Sequence, residues 1–111
     1  MGYKVIQGRI KETYHPNPNA KEKRFEAFLD EQQCIGCGRF GIEKHHVMQA
    51  MPSKRWRRDH MCQIPVCADC HRGKQGIHGI GSEAKWCEIN KIDIEQTMKM
   101  LWLAAMTEGA I

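Results

Sequence analysis

Cys34-Ile35-Gly36-Cys37, His45-His46, Cys67-Ala68-Asp69-Cys70-His71 and His78 fall within one stretch of 45 residues. Two cysteines separated by two residues grip one metal ion from one side. A second such pair completes a tetrahedral thiolate site. The pairs here are separated by a 29-residue spacer, so Cys34, Cys37, Cys67 and Cys70 are expected to hold one structural zinc. Four histidines are additional to that set. His45 and His46 are neighbours on what reads as a strand, where successive side chains point to opposite faces. One imidazole is therefore offered to a metal and the next to a water or phosphate, with His71 and His78 available to close the metal site. A metal that stabilises developing charge beside an imidazole that takes a proton is a pairing suited to hydrolysis. A histidine with an ordinary pKa of about 6.5 suits a base at neutral pH.

The rest of the chain is read around this stretch. Its 111 residues suffice for one small domain, whose modest core gains from a structural metal. No apolar run approaches the ~20 residues of a membrane span. The opening residues, Met1 to Gln7, lack the apolar stretch of a secretory signal. A cytoplasmic protein is expected, and in that compartment thiols stay reduced. Six cysteines then mean metal ligands with Cys62 and Cys87 to spare, not disulfides.

Seventeen Lys and Arg against 13 Asp and Glu give a formal net charge of +4. Four thiolates and one divalent ion lower that to about +2, so global charge says little about nucleic acid. Local charge says more. Lys54-Arg55-Trp56-Arg57-Arg58 places four cations and an aromatic together, and Arg72 and Lys74 follow the second cysteine pair. Such cations contact phosphates without reading sequence.

Residues 1–18 read as an arm, with a poor strand pattern at Tyr3, Val5, Ile6 and Ile10 and a break at His15-Pro16-Asn17-Pro18. Asn19 is placed to cap a helix that runs to Gln33 with Phe25, Phe28 and Leu29 as its apolar stripe. Gly36, Gly38 and Gly41 supply the turns of a metal knuckle. Glu43 to Met48 and Gln63 to Cys67 read as short strands, joined by a long basic connection containing Pro52. The glycine-rich run from His71 to Gly81 reads as a single turn and then a loop. Ser82 caps a short helix through Trp86. Asp93 and Gln96 resemble a capping box opening a last helix, about 93–107. Its stripe is Ile94, Met98, Leu101, Trp102, Ala105 and Met106, and Gly109 is its stop.

The combined pattern of Cys-x-x-Cys, His-His and Cys-x-x-Cys-His resembles the HNH endonuclease family. Ile64-Pro65-Val66-Cys67, His71-Arg72-Gly73 and Gly76-Ile77-His78-Gly79-Ile80-Gly81 are similar to the phage recombination-enhancement (Ref-type) nucleases, which depend on RecA. The likeness runs from about Cys34 to Trp86. It implies an α+β fold: a small ββα-metal core at 34–86 with a four-cysteine zinc knuckle and flanking helices, in a nuclease domain at 19–111. It implies that His46 is the general base. It implies that His45, His71 and His78 hold a catalytic divalent ion, Mg²⁺, Mn²⁺ or another transition metal. The implied activity is metal-dependent hydrolysis of DNA phosphodiester bonds in a bacterial host cell, in phage recombination, at DNA paired by a RecA-type filament. Lys54, Arg55, Arg57, Arg58, Arg72 and Lys74 are the expected DNA contacts.

The pattern departs from the family in three places. The middle Asn that orients the base in many HNH proteins would fall near Cys62 and is absent; His60 stands close by. His71 and His78 are seven positions apart, whereas many family members hold the last two histidines one helical turn apart; the Ref-type pattern shares the longer loop. The N-terminal arm is also short beside the basic arm of Ref-type nucleases. The missing Asn leaves a rival reading from another class, a zinc-stabilised DNA-binding or adaptor module with a decayed nuclease site. Redox chemistry at the cysteines fits less well, because two such pairs in one small domain suit zinc better.

Overall fold

A computed structural model describes residues 17–48 and 59–111. Most of the arm lies outside the described residues, as do the expected arm strand and the basic connection with Pro52 and Lys54 to Arg58. Within them the chain is a mixed α+β unit with a two-stranded antiparallel sheet. No described helix is long and apolar enough to cross a membrane.

The first helix, α1 (Ala20–Asp30), begins where its cap predicts. The Asn19 side chain accepts the Glu22 N–H at 2.8 Å, and the Glu22 carboxylate accepts the Asn19 N–H at 2.8 Å. This reciprocal pair satisfies two amides that the helix start leaves over. Phe25, Phe28 and Leu29 are buried, as their spacing requires. The helix stops short of the expected Gln33. The N–H groups of Glu31 and Gln32 turn back to the carbonyls of Phe28 and Leu29, a tightened last turn that releases the chain into the cysteine knuckle.

Strands β1 (Ile42–His46) and β2 (Gln63–Cys67) pair with Ile42 opposite Cys67 and His46 opposite Gln63. The β2 residues are buried throughout. Pro65 is tolerated in its centre because of register. Its carbonyl accepts the Ile35 N–H at 3.0 Å, on the side away from β1, so its missing N–H takes no bond from the ladder. The expected first strand reached Met48, but β1 ends at His46. Val47 still donates to the Cys62 carbonyl at 2.8 Å. Met48 donates instead to the Glu83 carboxylate, at 3.0 and 3.2 Å, so a side chain draws the strand out of the sheet.

Two short helices follow, α2 (Ala68–Arg72) and α3 (Ile77–Ile80). A single turn was expected after Cys70; the helical turn instead begins at Ala68 and ends at Arg72, and α3 falls where a loop was expected. The glycines here permit close packing of helical turns. A Cβ on Gly79 would lie 2.1 Å from the Gly73 carbonyl oxygen, closer than any side chain tolerates. Buried Ile77 anchors α3 to the core.

Helix α4 (Glu83–Asn90) is capped by Ser82, which accepts the Lys85 N–H at 3.1 Å. It outruns the expected end at Trp86 by four residues, to a left-handed Lys91. Helix α5 (Ile94–Thr107) is capped by the Asp93 carboxylate on the Gln96 N–H at 3.0 Å. Ile94, Met98 and Ala105 are buried, while Leu101 and Trp102 pack partly against the core. Met106, expected on that stripe, is 58% exposed. The Trp102 indole donates to the Met61 carbonyl at 2.6 Å, and the Arg24 guanidinium to the Ala110 carbonyl at 3.1 Å. Together they hold α5 and the residues after it against the turn before β2 and against α1.

Candidate functional site

The knuckle is built from backbone amides that converge on sulfur. The N–H groups of Gly36 and Cys37 lie 3.3 and 3.4 Å from the Cys34 Sγ. The Cys70 N–H lies 3.4 Å from the Cys67 Sγ. Cys34 is further fixed by its own N–H to the Arg39 carbonyl at 2.7 Å. Gly36 serves by its size. A Cβ there would meet Trp86 at 2.8 Å and the Cys70 Sγ at 2.9 Å, so the indole of α4 closes down on the knuckle only because no side chain intervenes.

The four sulfurs of Cys34, Cys37, Cys67 and Cys70 all lie within 4.8 Å of one another. The Cys37 and Cys67 sulfurs are 3.5 Å apart. A zinc tetrahedron with bonds of about 2.3 Å has sulfur–sulfur edges of about 3.8 Å. The set is therefore close to zinc geometry, and four cysteines so placed can hold a metal ion such as zinc. Their acidities point the same way. Burial opposes ionisation of Cys34, but backbone amides outweigh it and hold the thiol down at about 7. Cys70 is driven up from the ordinary thiol value by burial and by its sulfur neighbours. One thiolate thus discourages the next, and a dication removes the conflict. The remaining thiols stand apart. Cys62 and Cys87 are buried, and burial with nearby Asp59 pushes Cys62 up to about 12.

A second group forms where β1, α2 and α3 meet. One ring nitrogen each of His45, His71 and His78 lies within 4.8 Å of the others. His45 Nδ1 is 3.3 Å from His71 Nε2, which is 3.1 Å from His78 Nε2. Three ligands about 2.0–2.1 Å from one ion, in tetrahedral or octahedral arrangement, are separated by about 2.9–3.4 Å. The far nitrogens of two rings meet carboxylates. His45 Nε2 donates to Glu83 Oε2 at 2.6 Å, and His71 Nδ1 donates to Glu43 Oε1 at 2.8 Å. Arg72, gripping Glu43 in a bidentate pair, and then His71 hold that carboxyl down at about 2. An ionised carboxylate only accepts, so the His71 proton sits on Nδ1 and its Nε2 lone pair faces the cluster. Burial, working against Glu43, keeps the His71 pKa below the ordinary value. The ring is thereby held in the neutral form that binds metals. Three such nitrogens could hold a metal ion.

His46 does not join this group. It projects from the opposite face of β1, and its Nε2 lies 3.1 Å from His60 Nδ1, with the rings nearly perpendicular at 68°. Of the expected DNA contacts, Arg72 has its guanidinium on Glu43 and Lys74 is exposed. Lys54, Arg55, Arg57 and Arg58 lie outside the described residues.

Glu83, and the supporting part played by Glu43, escape a reading of the sequence. An acidic residue in the first turn of a helix is common for its own sake, because it complements the helix dipole. Its burial beside His45 has no counterpart in spacing. No family model matches this chain, and neither a curated protein nor a solved structure does.

Proposed function

We propose that this chain is a metal-dependent DNA endonuclease of the HNH type, built on a ββα-metal core and hydrolysing phosphodiester bonds. One observation carries the proposal: three histidine nitrogens converge at metal-ligand spacing, two of them backed by carboxylates, one residue along the strand from a further histidine. A purely structural site closes its coordination with four protein ligands, as the cysteines can. A site with three leaves room for water and substrate.

In this reading His45 would hold the ion through Nδ1, and His71 and His78 through Nε2. Glu83 and Glu43 orient the first two rings. The ion, when bound, would polarise the phosphate and stabilise the leaving oxygen. His46 accepts the proton of the attacking water. The exposed Lys74 and the cations of Lys54 to Arg58 hold the backbone of DNA without reading its bases. Three imidazoles favour a transition metal over magnesium, which prefers oxygen ligands. Resemblance to the Ref-type nucleases is the sole ground for a RecA-type partner and a place in phage recombination.

The test is cleavage of plasmid, single-stranded and recombinase-paired DNA with Mg²⁺ or Mn²⁺. His46→Ala is expected to keep DNA affinity and metal content while losing roughly 10²–10⁴-fold in rate, the usual worth of a general base. His45→Ala removes a ligand, so excess metal is expected to restore part of its activity and none of that of His46→Ala. Wild-type protein that never cuts beyond the His46→Ala background would replace this reading with that of a zinc-stabilised DNA-binding or adaptor module.

A further inference from the structure

Helix α5 turns one face to the core through Ile94, Met98 and Ala105. Its other face is not the polar one that a surface helix normally shows. Met100, Leu103 and Met106 are 61%, 63% and 58% exposed. From Met100 to Thr107 the helix carries no charged side chain. A helix that is apolar on both faces belongs between two layers, and among the described residues only its inner face meets the core. The order of residues along the outer face says what the second layer is. Gln96, Met100, Leu103 and Thr107 follow one another at intervals of four, three and four, the spacing that keeps side chains in one line on a helix. The line reads polar, apolar, apolar, polar, and it reads the same from either end. It therefore matches its own reversed copy, which is what a two-fold interface requires. Beside its first half runs a groove shared with Ile35 and Ile92, so the apolar surface continues past the helix.

We propose that α5 pairs antiparallel with α5 of a second copy of this chain, across a two-fold axis between Met100 and Leu103. Met100 of each copy then lies on Leu103 of the other, and Gln96 meets Thr107 at both ends of the seam. No charge enters it. Lys99 stands to one side of the line, beside Met106 of the second copy, where its aliphatic stem covers the thioether and its ammonium stays in water. Glu95 and Glu108 leave the line on opposite sides of the helix, so they do not face each other across the pair. The 14-residue helix is about 21 Å long at 1.5 Å per residue. A seam one helix wide and of that length falls below the ~800 Å² per partner of a stable complex. The pair is therefore weak, forming and parting with concentration. It does not depend on what the histidines do.

Sedimentation equilibrium of the full-length zinc-loaded protein reads the mass directly. The mass is expected to rise from 12.8 kDa toward twice that value, with half-association at roughly 10–100 μM, as suits a small interface. Leu103→Lys and Met100→Lys each put two charges into the seam and should weaken association by more than about 10-fold. Both positions are exposed in the single chain, so the thermal midpoint of dilute protein should not move. The register is read in wild type. In a mixture of ¹³C-labelled and unlabelled chains, isotope-filtered NOE spectra should connect the Met100 methyl group of one copy to the Leu103 methyl groups of the other. Wild type that stays monomeric up to about 300 μM overturns the proposal, and so does a dimer that both lysine variants leave intact. Filtered contacts between Leu103 and Leu103 without the Met100 contact mean parallel helices and overturn it as well.

Discussion

Glu83 accepts two hydrogen bonds at once, from the His45 ring and from the Met48 backbone. Both donors sit on or just after β1, so one carboxylate orients the His45 ring and ends a strand. Replacing it with Ala is expected to weaken Mn²⁺ binding at the histidine group by 10–100-fold, the usual cost of losing such a partner. Isothermal titration would measure this. The Met48 N–H would also lose its partner, at a cost of about 1–3 kcal/mol where water cannot replace it, and Glu83→Gln, which keeps an acceptor, should recover part of both losses. That His45, His71 and His78 come together was legible, because the cysteine pairs flanking them bring β1 and the turn after Cys67 side by side. Glu83 was not legible, because a glutamate in a helix's first turn is unremarkable until its burial is known. His60 was half legible. Its place just before β2 was evident, but its contact with His46 depends on how β1 and β2 pair.

Elements were legible at their starts more than at their ends. Asn19, Ser82 and Asp93 cap their helices as expected, because capping is a local bond between neighbours. The ends answered to distant partners. Helix α1 yields to the knuckle, and β1 yields to Glu83. The glycine-rich run from His71 to Gly81 misled for a related reason. Glycine lowers helix propensity, yet here it allows α3 to lie against the chain at Gly73 and Lys74, which no local pattern reveals. Gly79→Ala would press a methyl group onto backbone oxygens that cannot move aside. It is expected to destabilise the fold by about 1–3 kcal/mol, the usual cost of overpacking, and to shift His78 enough to weaken Mn²⁺ binding. Thermal denaturation and titration of the same variant would show both effects together.

For the molecule as a whole, the mixed α+β class was legible because two short strand patterns lie between capped, amphipathic helix patterns. Cys34 lies close to Cys67 and Cys70 at the end of β2, and that leaves few ways to fold the intervening chain. The packing of α5 was legible in outline, though Met106 turns outward where Ala105 turns in. If zinc occupies the cysteine site, its binding is folding energy of order 10 kcal/mol for sites of this kind, more than a small core commands alone. Cys34→Ser is therefore expected to lose cooperative unfolding, and a strong chelator should unfold the wild type. Native mass spectrometry should find one zinc retained in His45→Ala and none in Cys34→Ser. A Cys34→Ser protein that melts like wild type would show that the thiols are merely buried neighbours.

Cys70 and His71 are consecutive residues of α2, one facing the sulfur group and the other the imidazole group. Inheritance is constrained by that adjacency in one direction only. On the proposed reading, a lineage that changes His45 or His46 would abandon the chemistry and keep its architecture, since both belong to a strand whose pairing is made by backbone. A lineage that changes one of the four clustered cysteines would forfeit both, because the turn that presents His71 is the turn that carries Cys70. Descendants of such a protein should therefore include silent copies with four intact cysteines and altered strand histidines, and the reverse combination should be rare.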